Sequence, residues 1–294
     1  MILDDFKKYF AIFILSHGRA DDVKTAEYLE RIGYSGDWFI VIDNEDNQAG
    51  TYYAKYGDRV LMFDKKTEAE LTDTGDMDDD RRVGVFARNK IQDLAIERGY
   101  KYHLQFDDDF NRVSFRYFDG EKIAYTHVED DRTLTGVLFA MVRYMDNCPR
   151  ITWLSFGLSN YYLGGTQSGN WKNRLIPKTM GSFLMRADHP IRFSMRMNDD
   201  ITTCALEQSR GNLAYTIMSL YVETTETQHQ SGGMTDIYQD NGTYRKSFYS
   251  VLVGPSWAKV SRESLSHRIH HRIYFENCVP KLLSDKWKKK STIG

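Results

Sequence analysis

The run Tyr102-His103-Leu104-Gln105-Phe106 reads as a short strand, and it stops abruptly at Asp107-Asp108-Asp109 before Phe110. Three adjacent carboxylates cannot enter a sheet core, because a buried charge without a partner is strongly destabilising. They must lie at the strand's exit. In an open α/β sheet ligands bind at that exit, and clustered carboxylates there suit a hard divalent cation and, through it, a phosphate. Taken alone, the triplet fits an acidic turn in solvent equally well, so its surroundings have to decide.

Those surroundings alternate. Residues 10–15 form an apolar strand, Ser16-His17-Gly18-Arg19 a turn, and 21–32 carry helical spacing through Val23, Ala26, Tyr28, Leu29 and Ile32 up to Gly33. Strands follow at 38–42, ending in Asp43-Asn44, and at 60–63, and the polar, acid-rich stretch 64–82 reads as a loop. A helix over 85–98, with Phe86, Ile91, Leu94 and Ala95 inward, leads through Gly99 to the aspartate strand. This β-α-β-β-α-β order predicts an α/β protein with a mostly parallel central sheet, helices on both faces and right-handed crossovers.

Beyond the triplet the pattern is mixed. It predicts an edge-like strand at 113–117, an apolar helix at 134–145 and a strand at 151–158. A glycine-containing stretch, Tyr161 to Gly165, opens a polar loop that runs to Trp171. Then come a strand at 181–186, the segment Met197-Asn198-Asp199-Asp200, a helix at 201–209 and a strand at 214–221. No repeat or Pro/Ser linker interrupts the 294 residues, so a single domain is expected.

With 39 basic against 41 acidic residues the net charge is −2, so a polyanion would have to be bound by a local patch. Cys148, Cys204 and Cys278 lack ligand spacing, which argues against a zinc ribbon or disulfide framework and for a reducing cytosol. The apolar run 10–15 is too short to span a bilayer, so a soluble, cytoplasmic protein without a membrane partner is expected. The sequence carries no signal of oligomeric state. An aromatic share of 14%, with 19 Tyr and 5 Trp, suits stacking on sugars or bases.

In element order, residues 10–235 resemble a nucleotide-sugar-dependent glycosyltransferase of the GT-A type, with Asp107-Asp108-Asp109 standing as its Asp-X-Asp motif. The resemblance implies a GT-A-like domain whose residues 1–110 bind the nucleotide sugar and 111–240 the acceptor, with 241–294 a basic and aromatic extension. It implies a UDP-sugar donor and Mn²⁺ or Mg²⁺. Asp107 would reach ribose or metal, Asp109 would ligate the metal, and Asp108 would face the donor sugar or solvent.

Ser16, His17, Gly18, Arg19, Asp43 and Arg88, with Asn89 beside it, would contact the donor; a turn residue or a surface ion pair is the plainer reading of each. Asp200, with Asp199 next to it, would be the general base toward an acceptor hydroxyl, although one of the two could serve only as a helix N-cap. His229 would complete the metal site, or be an ordinary structural or exposed histidine. Gly232-Gly233 would let that loop close over the donor.

More narrowly, Ile14-Leu15-Ser16-His17-Gly18-Arg19, Gln105 to Phe110, Gly181-Ser182-Phe183 and Gly232-Gly233-Met234-Thr235-Asp236 resemble the phage-type TET-associated glycosyltransferases. That resemblance implies transfer to 5-hydroxymethylcytosine or a related hydroxymethylpyrimidine in DNA. Trp171, Arg245, Lys246, Arg268 and Arg272, within a C-terminal third that interleaves cations and aromatics, are the candidate DNA contacts. A solvated helix face with a basic tail explains the same residues. A glycan, lipid-linked or protein acceptor, or a nucleotide- or nucleic-acid-binding module without transfer activity, are the competing readings.

Overall fold

The computed structural model describes residues 3–224, 245–262 and 269–278. His229, Gly232-Gly233, Arg268 and the lysine-rich end at 288–290 lie outside the described residues. In chain order the elements are α1 (Leu3–Phe6), β1 (Phe10–Leu15), α2 (Lys24–Arg31), β2 (Asp37–Asp43), α3 (Ala49–Tyr56), β3 (Val60–Phe63), α4 (Lys65–Leu71), α5 (Val85–Glu97) and β4 (Tyr102–Asp107). There follow β5 (Phe110–Phe118), β6 (Ile123–His127), α6 (Asp131–Asn147), β7 (Ile151–Gly157), α7 (Gly169–Asn173), β8 (Leu175–Ile176), β9 (Ser182–Arg186), α8 (Asp199–Ser209) and β10 (Leu213–Thr224). A helix at 245–253 (α9) precedes a small hairpin of β11 (Ala258–Arg262) and β12 (Ile269–Ile273).

One sheet runs in the order β3-β2-β1-β4-β9-β7-β10-β5-β6, with β8 added beside β10. Its first four strands are all parallel, so Leu15, Asp43, Phe63 and Asp107 end on the same edge. From β9 onward the pairing is mixed: β9 is antiparallel to both β4 and β7, whereas β7 and β10 are parallel. The expected α/β architecture is present, and Ser182 of β9, paired with Phe106, returns to the same edge as the aspartates.

Alternation along β1 and β4 explains the layers. Phe10, Ile12, Ile14, Leu104 and Phe106 pack on one face with Ala26 and Leu29 of α2 and Leu134, Leu138 and Met141 of α6. Ala11 and Phe13 face the other way, onto Phe86, Ile91 and Ala95 of α5 and Cys204 of α8.

Three local expectations change. The parallel pair β2 and β3 needs a crossover, and α3 supplies it, burying Tyr52 and Tyr56 one turn apart. The stretch 64–82 is not all loop: Asp64 accepts from the Thr67 amide and caps α4, and the residues after it form a chain of Asx turns around the Arg196 guanidinium. β5 is not the edge strand, because Asp119 turns the chain into β6, which pairs outside it.

His103 sits on the inner face of β4, fully buried, with its ring edge-on to Phe13 and neither nitrogen hydrogen-bonded among the described residues. Burial pushes its imidazole down to about 3. The native state therefore binds fewer protons than the unfolded chain at acid pH. Its contribution is complete above the ordinary histidine value of 6.5 and is lost as pH falls toward 3. Urea unfolding of wild type should lose stability by up to about 1.4 kcal/mol per pH unit across this window relative to His103→Leu. Parallel pH profiles for the two proteins would contradict this assignment.

Candidate active site

The loop after β1 is held in place by side chains from α3 and the triplet. Ser16 Oγ donates to Asp108 Oδ2 at 2.6 Å and lies 2.7 Å from the Tyr52 hydroxyl, which also accepts from the Arg19 amide at 3.0 Å. Arg19 Nη1 reaches Asp108 Oδ1 at 2.8 Å. Gly18 takes φ +68°, where a side chain would be strained, and its amide donates to Asp46 Oδ2 at 2.8 Å.

Asp108 is thus only 5% exposed and faces neither solvent nor an open donor site. Its place in the triplet explains why. Strand alternation turns Asp108 away from its two neighbours, into the β1 loop, where Ser16 and Arg19 are waiting. Burial raises its carboxyl above the usual range, although Arg19 and Ser16 pull the other way.

At the end of β2, Asp43 Oδ2 takes hydrogen bonds from His17 Nδ1 at 2.8 Å and Lys65 Nζ at 3.1 Å. Burial opposes its charge, but these two partners outweigh burial and hold the carboxyl below its ordinary value. Lys65 opens α4, where the sequence predicts a loop, and is 4% exposed.

Asp107 and Asp109 remain part-exposed at the strand exit, with the backbone of the turn pinned by Thr25: its hydroxyl donates to the Asp107 carbonyl at 2.6 Å and accepts from the Phe110 amide at 3.1 Å. Burial, then the charges of Asp107 and Asp108, push the Asp109 carboxyl up to about 7. That edge carries more negative charge than its arginines neutralise, and two part-exposed carboxylates are the donor type a hard divalent cation takes. Among the described residues no group of three His, Cys, Asp or Glu could hold a metal. The residues present fit a cation that Asp107 and Asp109 would hold, and that would supply charge neutralisation to a bound phosphate.

Arg88, on α5, joins this edge to the acid pair at α8. Its Nη2 lies 3.1 Å from Asp107 Oδ1 and its Nε 3.0 Å from Asp199 Oδ2, while the guanidinium lies over the Phe183 ring at 4.8 Å. Burial opposes its charge, yet Asp107 and Asp199 keep it firmly protonated. Nη1 is buried without a hydrogen-bond partner among the described residues. Asn89 does not join it: its amide is spent on the Phe193 backbone at 2.8 and 3.0 Å.

Helix α8 begins at Asp199, and its N-cap is Asn198, so neither acid of the pair fills that role. Burial raises both carboxyls, and Arg88 opposes the rise in each. Asp199 is bonded to Arg88, whereas among the described residues Asp200 Oδ1 meets only the Ile201 amide of its own turn, at 2.6 Å.

The candidate DNA contacts separate. Trp171 is 3% exposed with Arg174 stacked over it at 3.8 Å, so its ring offers no face to a base. Arg245 is paired with Asp76 and Asp78 at 3.3 and 2.7 Å. Arg272 is exposed and lies over the Tyr274 ring, and the Lys246 carbonyl accepts from Asn198 Nδ2 at 2.7 Å. Tyr52, Thr25, Asp46 and Lys65 were missed because each acts through a partner on a different element. Only the buried Tyr52–Tyr56 spacing left a trace in the sequence.

The triplet therefore divides by stability as well as by position. Asp108→Asn should cost about 2 kcal/mol in urea unfolding at neutral pH, the range for a lost hydrogen bond to a charged group. Asp109→Asn should leave stability equal or higher, since it removes like-charge repulsion. The reverse order would refute this division.

Helices cover both faces of the sheet, and the acidic strand exit and second acid pair are joined through one arginine. Solved structures align with most of the chain at low identity. Glucosyl-3-phosphoglycerate synthase from Mycobacterium tuberculosis, in complex with Mg²⁺ and uridine diphosphate, aligns over 94% of this chain and 95% of its own at 6% identity and a TM-score of 0.47. A structure described only as a mycobacterial protein aligns over 93% and 88% at 7% identity and a TM-score of 0.49. No curated protein matches the sequence. The profile of one family covers residues 10–233, which include the β1 loop, the triplet, Arg88 and the Asp199-Asp200 pair, and the chain accordingly belongs to the TET-Associated Glycosyltransferase family.

Proposed function

We propose that this glycosyltransferase moves a sugar from a UDP-sugar to the hydroxyl of 5-hydroxymethylcytosine, or a related hydroxymethylpyrimidine, in DNA. The observation that carries the proposal is the Asp107–Arg88–Asp199 bridge, because it sets an acidic edge suited to a cation directly beside a second, half-buried acid pair. Sugar transfer needs that adjacency: one end manages the leaving diphosphate and the other the acceptor proton. The family's name supports the acceptor class.

In this reading Ser16, His17, Gly18 and Arg19 receive the nucleoside, with Asp43 at the base or ribose. Asp108 acts indirectly, by holding Arg19 and Ser16. Asp107 and Asp109 would hold Mn²⁺ or Mg²⁺, with His229 as a further ligand from outside the described residues. When bound, the cation supplies charge neutralisation on the diphosphate. Arg88 orients Asp107 toward that edge.

The acceptor oxygen bonds to the anomeric carbon as the bond from that carbon to the phosphate oxygen breaks. The hydroxyl proton passes to Asp200, and UDP departs with the electron pair. Asp200 is better suited to the proton than Asp199, whose Oδ2 is committed to Arg88. Burial raises its carboxyl, which makes it a stronger proton acceptor than an exposed carboxylate.

Radiolabelled UDP-glucose incubated with hydroxymethylcytosine-containing DNA should label the DNA in the presence of Mn²⁺ or Mg²⁺ and stop on addition of EDTA. Asp109→Ala should abolish the label, and Asp200→Asn should lower kcat by roughly 10²- to 10⁴-fold. Label on a glycan alone would reject the DNA acceptor, and full turnover by Asp109→Ala would reject the metal assignment.

A further inference from the structure

Lys178 lies between β8 and β9 on a backbone pinned from two sides. Its carbonyl accepts from the Thr216 hydroxyl, and the neighbouring Pro177 carbonyl accepts from Gln208 Nε2 of α8 at 2.9 Å. The side chain is half-buried, and its ammonium lies 5.1 Å from the centre of the Tyr161 ring. Among the described residues it makes no ion pair or hydrogen bond. Tyr161 is itself 2% exposed, and its hydroxyl has no hydrogen-bond partner among the described residues.

Burial disfavours the Lys178 ammonium and the charge of Asp200, beyond ion-pair distance, offsets it only in part, which leaves this cation able to take an anion from outside the chain. What lies near it is Asp200 of the acid pair on one side and, on the other, His271, which burial keeps neutral. Asp200 feels Lys178 electrostatically, and so does His271, which is also pushed down by burial and by His270 and Lys246. Asn198, the N-cap of α8, links these parts, donating to the Lys246 carbonyl at 2.7 Å and meeting His271 Nδ1 at 3.0 Å.

We infer that Lys178, backed by Tyr161 and flanked by His271 and the start of α9, is an anion-binding position of the acceptor site that takes a phosphodiester oxygen of the strand being modified. This rests on the DNA-acceptor reading above and moves the phosphate contact inward. Trp171 is covered by Arg174 and Arg245 is held in ion pairs, whereas Lys178 has the Tyr161 ring and no ion pair among the described residues, and it interacts with Asp200, where the reading above puts the acceptor. A lysine suits a single phosphate as a point charge with rotatable donors.

The test uses the full chain and a fluorescein-labelled duplex containing 5-hydroxymethylcytosine, titrated by anisotropy at several NaCl concentrations, together with KM for DNA in UDP-glucose turnover. Lys178→Gln should weaken DNA binding and raise KM by roughly three- to tenfold, with the log-affinity against log-salt slope smaller by about one unit. Lys178→Arg should restore both. Lys178→Met, which keeps the apolar stem against Tyr161, is the second variant should the first not fold. Folding of each is read from the Tm rise on adding UDP and Mn²⁺.

If wild type glycosylates DNA but the folded charge-removing variant keeps the same KM and slope, the Lys178 assignment is wrong while the DNA reading stands. A loss that Lys178→Arg does not restore indicates packing and also overturns it. If wild type neither binds nor modifies the duplex, the acceptor reading falls first and the inference with it.

Discussion

The structure depends on a buried guanidinium between two carboxylates. Arg88 is on α5, Asp107 ends β4, Asp199 begins α8, and the Phe183 ring beneath belongs to β9, so one side chain ties four elements together at the edge where the parallel strands end. Desolvating a cation and two acids is repaid only if the geometry is satisfied. Removing one member would leave an uncompensated buried charge, a loss usually larger than the net worth of the pair. A site built this way is rigid before any ligand arrives, which favours reactions that need charge stabilised at a fixed point.

Around that clamp the protein segregates its acids by what each is allowed to meet. Asp43 and Asp108 have basic or hydroxyl partners and serve the loop after β1, whereas Asp107 and Asp109 stay part-exposed. The segment before α8 is held just as firmly. Arg196, 3% exposed, is gripped by Asp76 and by the carbonyls of Asp78 and Asp80, and the Met195 and Arg196 amides donate to the acidic loop. Met195 and Asn198 take φ +77° and +58°, conformations that cost free energy in a residue with a side chain and persist only where surrounding contacts fix them. They stand immediately before Asp199 and Asp200.

Much of the scaffold was legible because it follows from short-range periodicity. The alternation of Phe10 to Leu15 and Tyr102 to Phe106 gives two buried faces, and the acids that interrupt it mark the strand exit. Helices α3 and α4 were not legible. Unlike α2, which is as short, they carry no apolar stripe, since α3 buries only Tyr52 and Tyr56 and α4 only Lys65 and Glu68, and the parallel pairing of β2 with β3 is what demands α3.

The sequence by itself determined the α/β alternation and the acidic exit at Asp107 to Asp109, since residue type and spacing are local properties, and its resemblance to GT-A glycosyltransferases singled out Arg88 and the Asp199-Asp200 pair. Tertiary structure alone decided the partners. Asp108 is buried because Ser16 and Arg19, about ninety positions earlier, converge on it, and Trp171 is closed off by Arg174. Lys178 stands beside Asp200 because α8 packs against the chain between β8 and β9. Charge and burial are properties of these long-range meetings, and no spacing rule along the chain encodes which of three adjacent aspartates will find an arginine.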